Sequence, residues 1–259
     1  MQPSILLRLD TWQLMLILLA LMITSIIVGL KAGKKFHKVS EGDTTILGSL
    51  FTLLGLLLAF TFSMAINYHG IRKDIIIEEA NDISTAILRA DLYRESERNM
   101  LRTEFKKYVD ARVDYFTAGT DLEKVAAAQK LSAEIQQQLW SHASQFSKDS
   151  GYSVASMQMI PALNSMIDIT TTRHYSNIVH LPDTIIYLLF LLSCVCTFYI
   201  GYSSASKEKF DWMLAVIFCL LTSMVVFVVF DLDRPRRGFI KLDEMNNAII
   251  ELKQMFPEK

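Results

Sequence analysis

Residues 46–67 read ILGSLFTLLGLLLAFTFSMAIN, and the run from 44 to 71 contains no Asp, Glu, Lys or Arg. Roughly 20 apolar residues in a helix cross the hydrocarbon of a bilayer. Three further windows lack those four residue types: 11–30, 184–206 and 212–230. Together they predict spans at about 13–30, 46–67, 184–204 and 212–230, hence an all-α integral membrane protein with the lipid bilayer as its first partner. Composition agrees. The 259 residues are 51% hydrophobic and only 20% charged, and the mean hydropathy is +0.29.

Other classes fall away on charge and chemistry. The net charge is −1 and no basic run occurs, which argues against nucleic acid as a partner. Cys194, Cys196 and Cys219 all lie inside apolar windows and read as small packing residues. Catalytic templates such as HExxH, the P-loop, GxSxG and GxGxxG are absent from the sequence. His174 and His180 are too far apart to form a ligand pair on one helix face. Neither an enzyme, a metal centre nor a cofactor is expected.

Trp12 stands at the start of span one, where an amphipathic ring favours the interface. A cleaved signal would carry its basic residues ahead of the apolar core. Here Arg8 is balanced by Asp10, and Lys31, Lys34, Lys35 and Lys38 follow the core, so the helix reads as retained. Those lysines, with Lys207 and Lys209, favour both short loops on the cytoplasmic side of an inner (plasma) membrane. Arg8, Arg72, Lys73, Arg173, Arg234, Arg236, Arg237 and Lys241 pull the other way. Because the first span usually dominates, the expectation is that segment 68–183 lies on the non-cytoplasmic side.

The domain plan is a first transmembrane hairpin over 1–67, a helical extramembrane domain over 68–183, a second transmembrane hairpin over 184–231 and a C-terminal tail over 232–259. Pro182 suits the first turn of span three, where a missing N–H costs nothing. Within 68–183, Ile76, Ala80, Ile83, Ile87 and Ala90 step by four and three, the seam of an amphipathic helix. Leu101, Phe105, Tyr108 and Phe116 extend the pattern. A break is expected near Gly70 or after Asp91. Gly119-Thr120-Asp121 reads as a stop and an N-cap. A helix over about 121–147 should turn Leu122, Val125, Leu131, Ile135, Leu139 and Phe146 inward. Another, over about 153–179, should kink or restart at Pro161. Glu78, Glu79 and Asp82 read as a solvated acidic face.

Span two carries the functional candidates. Gly48, Thr52, Gly55, Ala59 and Ser63 share one face. Small residues let membrane helices approach closely, and they also suit the wall of a narrow pore, so both uses stay open. Phe60 and Phe62 are candidates for an apolar constriction. No span holds an ionisable acid or base, which counts against an active transporter and not against a passive pore. Arg72, Asp231, Asp233 and Arg234 gather at span ends, as ion pairs or as charges at a pore mouth.

The segments LLGLLLAFTFS (53–63), Glu79-Ala80-Asn81, Leu88-Arg89-Ala90 and Leu232-Asp233-Arg234-Pro235 with Gly238 resemble the bestrophin-like family of membrane proteins. The resemblance covers nearly the whole chain and shares its four-span plan. It implies kinship with bestrophins, which are pentameric anion channels; no bestrophin pore or calcium-site residue is carried over. The expected function is therefore a passive ion channel for inorganic anions, built as a homo-oligomer around span two. The rival expectation is a non-conducting structural or sensory protein whose helical domain binds an envelope partner.

Overall fold

The computed structural model describes residues 9–36, 43–205 and 209–256. Arg8, Lys38 and Lys207, which entered the orientation argument, lie outside the described residues. Among those described, every regular element is a helix. The chain divides into two compact units.

The first unit comprises residues 1–69, 180–234 and 238–240. Its helices are α1 (Thr11–Phe36), the first part of α2 (Asp43–Arg89), α6 (Asp183–Ser203) and α7 (Trp212–Asp233). All four are long and apolar enough to cross a membrane. α1 is the central element. It packs along α6 and α7, which touch each other only sparsely. Leu14, Leu18, Met22 and Ile26, spaced four apart, form its buried stripe.

Glycine sets how closely α1 and α6 approach. A Cβ on Gly29 would stand 2.1 Å from the carbonyl oxygen of Phe198, and one on Gly201 would stand 2.2 Å from that of Ile26. Gly33 is equally constrained, 2.5 Å from the Tyr202 oxygen. This is the small-residue mode of membrane packing. It runs through Gly29-Leu-Lys-Ala-Gly33, a small-residue spacing visible in the sequence.

The second unit comprises residues 70–179, 235–237 and 241–259. It holds the rest of α2, then α3 (Glu95–Thr117), α4 (Leu122–Phe146), α5 (Ser153–Ser176) and α8 (Asp243–Glu251). α2 runs through Gly70 unbroken and ends in a short 3-10 turn, Ala90–Leu92. The break therefore falls at the Asp91 position and not at Gly70. There the Asp91 carboxylate accepts the Arg102 guanidinium at 2.8 and 2.7 Å. Gly119 takes φ +55° to end α3, and the Asp121 side chain caps α4 by accepting from Lys124 N at 3.1 Å. α5 continues through Pro161 without a break.

Two expectations need correction. The seam of α2 is buried as expected. On α4, Ile135 and Leu139 are buried as expected, but the rest of the buried face is Ala128, Ser132, Gln136 and Ala143. Leu122 (74%) and Leu131 (46%) are exposed. The small side chains at 128, 132 and 143 give close packing that a search for large apolar residues overlooks. Leu242, Ile249, Leu252 and Phe256 also join this core, so the stretch after 241 belongs to the second unit.

Candidate functional site

The small-residue face of span two is open. Gly48, Thr52, Gly55, Ala59 and Ser63 are all exposed, and a Cβ added to Gly48 or Gly55 would meet nothing within 4 Å. The stripe does not pack against another helix of the same chain. α2 instead turns Leu54, Thr61 and Ala65 into the core of the first unit. Phe51 packs on Phe218 with centroids 5.0 Å apart. The Thr52 hydroxyl bonds back to the Gly48 carbonyl at 2.9 Å, so it needs no outside partner. Phe60 and Phe62 are exposed as well.

The acids at the end of α7 act on backbone. Asp231 and Asp233 are both buried. Asp231 accepts from the amides of Phe239 (2.8 Å) and Ile240 (2.7 Å), folding the chain back after the helix. Gly238 is required in that turn, because a Cβ there would lie 2.7 Å from the Asp231 carbonyl oxygen. Asp233 accepts from Leu181 N at 3.1 Å, just ahead of α6. His180 Nδ1 sits 2.9 Å from the Asp233 carbonyl oxygen. Arg234 donates to the Leu9 carbonyl and lies over the Phe230 ring at 5.7 Å. Arg72 belongs to the second unit, where it donates to the carbonyls of Ser176 (3.1 Å) and Val179 (2.5 Å).

The second unit contains a charged knot that the sequence reading missed. Glu79 is fully buried, contrary to the solvated face expected of Glu78, Glu79 and Asp82. Its Oε1 accepts Arg112 Nε at 2.5 Å, and its Oε2 accepts Arg173 Nη1. Arg173 also donates to Asn246 Oδ1 at 2.6 Å, tying α8 to α5. Burial pushes the Glu79 carboxyl upward, but the two guanidiniums, by charge and by hydrogen bond, outweigh it and hold the group below the ordinary carboxylate value. The signal was present in the spacing. Glu79 lies three residues after Ile76 and four before Ile83, inside the apolar seam; Arg112 follows Tyr108 by four, and Arg173 follows Ile169 by four. Three guanidinium carbons surround the ring of Tyr115: Arg112 and Arg236 at 4.5 Å and Arg173 at 5.6 Å.

Four apolar helices around a glycine-tightened centre, with a helical unit holding a buried ion cluster, define an all-α transmembrane protein. The model of the Bestrophin-like domain matches residues 14–246, and the chain belongs to that family. No curated protein and no solved structure matches the chain.

Proposed function

We propose that the protein is a passive ion channel for inorganic anions, formed by a homo-oligomer with the second span around its axis. The observation that carries this is the open stripe Gly48, Thr52, Gly55, Ala59 and Ser63, small along its whole length and left uncovered by the chain's own helices. A second copy would cover its edges while its centre lines a narrow path. Phe60 and Phe62 supply the constriction, while Asp231, Asp233 and Arg234, buried and bonded to backbone, shape the end of the spans and do not face an open mouth. Absence of ionisable side chains from all four spans fits conduction without proton coupling, and membership of the Bestrophin-like family supports a channel. The channel sits in the inner (plasma) membrane, with segment 68–183 forming a helical domain on the non-cytoplasmic side.

Planar-bilayer current from the reconstituted protein is the test, with chloride gradients and gluconate substitution. Discrete conductance that reverses at the chloride potential is expected, and Ala59→Trp should block it. Silence from folded, inserted protein would overturn the channel in favour of a structural or sensory protein whose helical domain binds an envelope partner.

A further inference from the structure

After α7 the chain returns to the first unit for three residues, 238–240. This turn is apolar and open: Phe239 is 78% exposed and Ile240 40%. Its amides nevertheless all have partners. Gly238 N donates to the Arg234 carbonyl at 3.2 Å. The next two amides donate to the Asp231 carboxylate, at 2.8 and 2.7 Å. Three consecutive N–H groups therefore need nothing from water. The Phe239 ring packs on Phe227, with centroids 5.8 Å apart. Phe227 precedes the end of α7 at Asp233 by six residues, which places it about 9 Å inside the helix end. The outward face of α7 runs through Ile217, Leu221 and Met224, all exposed, and a further step of three brings it to Phe227. Phe239 thus prolongs the apolar stripe of a helix fit to cross a membrane.

A turn ordinarily stays out of lipid because its backbone groups find no partners there. Here the Asp231 carboxylate removes that obstacle for the amides, and what the turn shows outward is hydrocarbon. In water, an exposed Phe beside an exposed Ile would leave apolar area against solvent with no gain. In sequence the turn is flanked by Arg237 and Lys241, both exposed. Basic side chains favour the headgroup level beside an apolar anchor. We propose that residues 238–240 form an interfacial hook that dips Phe239 and Ile240 into the acyl boundary of the bilayer beside the end of α7. Asp231 is the residue that lets the backbone of the hook leave water. The occupant is lipid and not a second copy: the stripe it prolongs is made of large side chains such as Leu221 and Met224, without the small residues that close helix contact uses. The hook is independent of conduction.

The test places one nitroxide at Phe239→Cys in the full-length chain, with Cys194→Ala, Cys196→Ala and Cys219→Ala. The protein is reconstituted in vesicles of phosphatidylcholine and phosphatidylglycerol. Power saturation then compares access of oxygen, which concentrates in hydrocarbon, with access of a nickel chelate, which stays in water. Two references bracket the answer: Leu221→Cys on α7, where the native side chain is 60% exposed, and Leu122→Cys at the start of α4, where it is 74% exposed. The label at 239 should behave as the one at 221, open to oxygen and closed to the chelate. Chelate access equal to that at 122 would put the turn in water and overturn the proposal. Exclusion of both reagents would overturn it in favour of a contact with a second copy. If the cysteine-free chain does not fold, Phe239→Trp in the otherwise native chain decides. The emission it adds over Trp12, Trp140 and Trp212 should be quenched by lipids brominated on their acyl chains, and added emission that resists them overturns the hook.

Discussion

The two halves of α2 obey different rules. Over its apolar half, only Leu54, Thr61 and Ala65 are buried among the described side chains, and large ones such as Leu53, Leu56 and Phe60 are at least half exposed. Beyond Gly70 the same helix buries Arg72, Ile75, Ile76, Glu79, Ala80, Ile83, Ala86 and Ile87, and the turn that follows it buries Ala90. In water an apolar side chain gains about 25 cal/mol per Å² by leaving the solvent, so the apolar face and the buried face coincide. In lipid that gradient is absent. An apolar residue there is satisfied facing outward, and burial is decided by shape.

The sharpest way to break the second half is at Glu79. Glu79→Gln leaves Arg112 and Arg173 buried beside a neutral group. Removing one member of a buried ion pair costs about 3–5 kcal/mol, so chemical denaturation of the second unit should shift by that amount. The carboxyl is held below its ordinary value, so its ionised form is favoured by folding. This stabilisation is complete above the unfolded value of about 4.5 and is lost as pH falls through the folded one. Wild-type stability should therefore decline below about pH 4.5, and Glu79→Gln should lack that part of the decline. An unchanged pH profile in the variant would show that the knot contributes nothing.

In the membrane unit the sensitive positions lie outside α2. Gly201→Ala places a Cβ 2.2 Å from the Ile26 oxygen and 2.9 Å from Leu30 N, both backbone atoms that cannot swing aside. α1 and α6 must separate, at about 1–3 kcal/mol for an overpacked contact. Thermal unfolding in detergent should fall accordingly, with Gly48→Ala as the control that does not move. Equal melting of Gly201→Ala and wild type would refute glycine-set packing.

This contrast explains what was legible in the sequence. The spans could be read because the absence of charge over some twenty residues has one common physical cause. The α2 seam over 76–90 could be read because water enforces periodicity. The α4 face could be read only at Ile135 and Leu139, because Ala128, Ser132 and Ala143 carry little apolar area and Leu122 and Leu131 outweigh them in a pattern of large apolar residues. Glu79 was misread by residue type, although its place in the seam contradicted a solvated role. The small-residue stripes over 29–33 and 48–63 look alike as sequence. They differ in what they meet, backbone at Gly29 and Gly33 and nothing of the chain at Gly48 and Gly55, since a small residue in lipid is compatible with a neighbouring helix, a second copy or an open path.

Gly55→Ala and Gly55→Leu sharpen that last distinction with the smallest effect on the fold. Nothing of the chain lies within 4 Å of a Cβ at 55. Surface substitutions of this kind usually change stability by no more than about 0.5 kcal/mol, so the thermal unfolding of both variants in detergent should match wild type. If the stripe surrounds an axis shared by several copies, each added methyl group narrows the same path several times over. Conductance should then drop in Gly55→Ala and vanish in Gly55→Leu while the fold is untouched. Wild-type conductance and wild-type subunit number in Gly55→Leu would place the stripe against lipid and remove α2 from the pore.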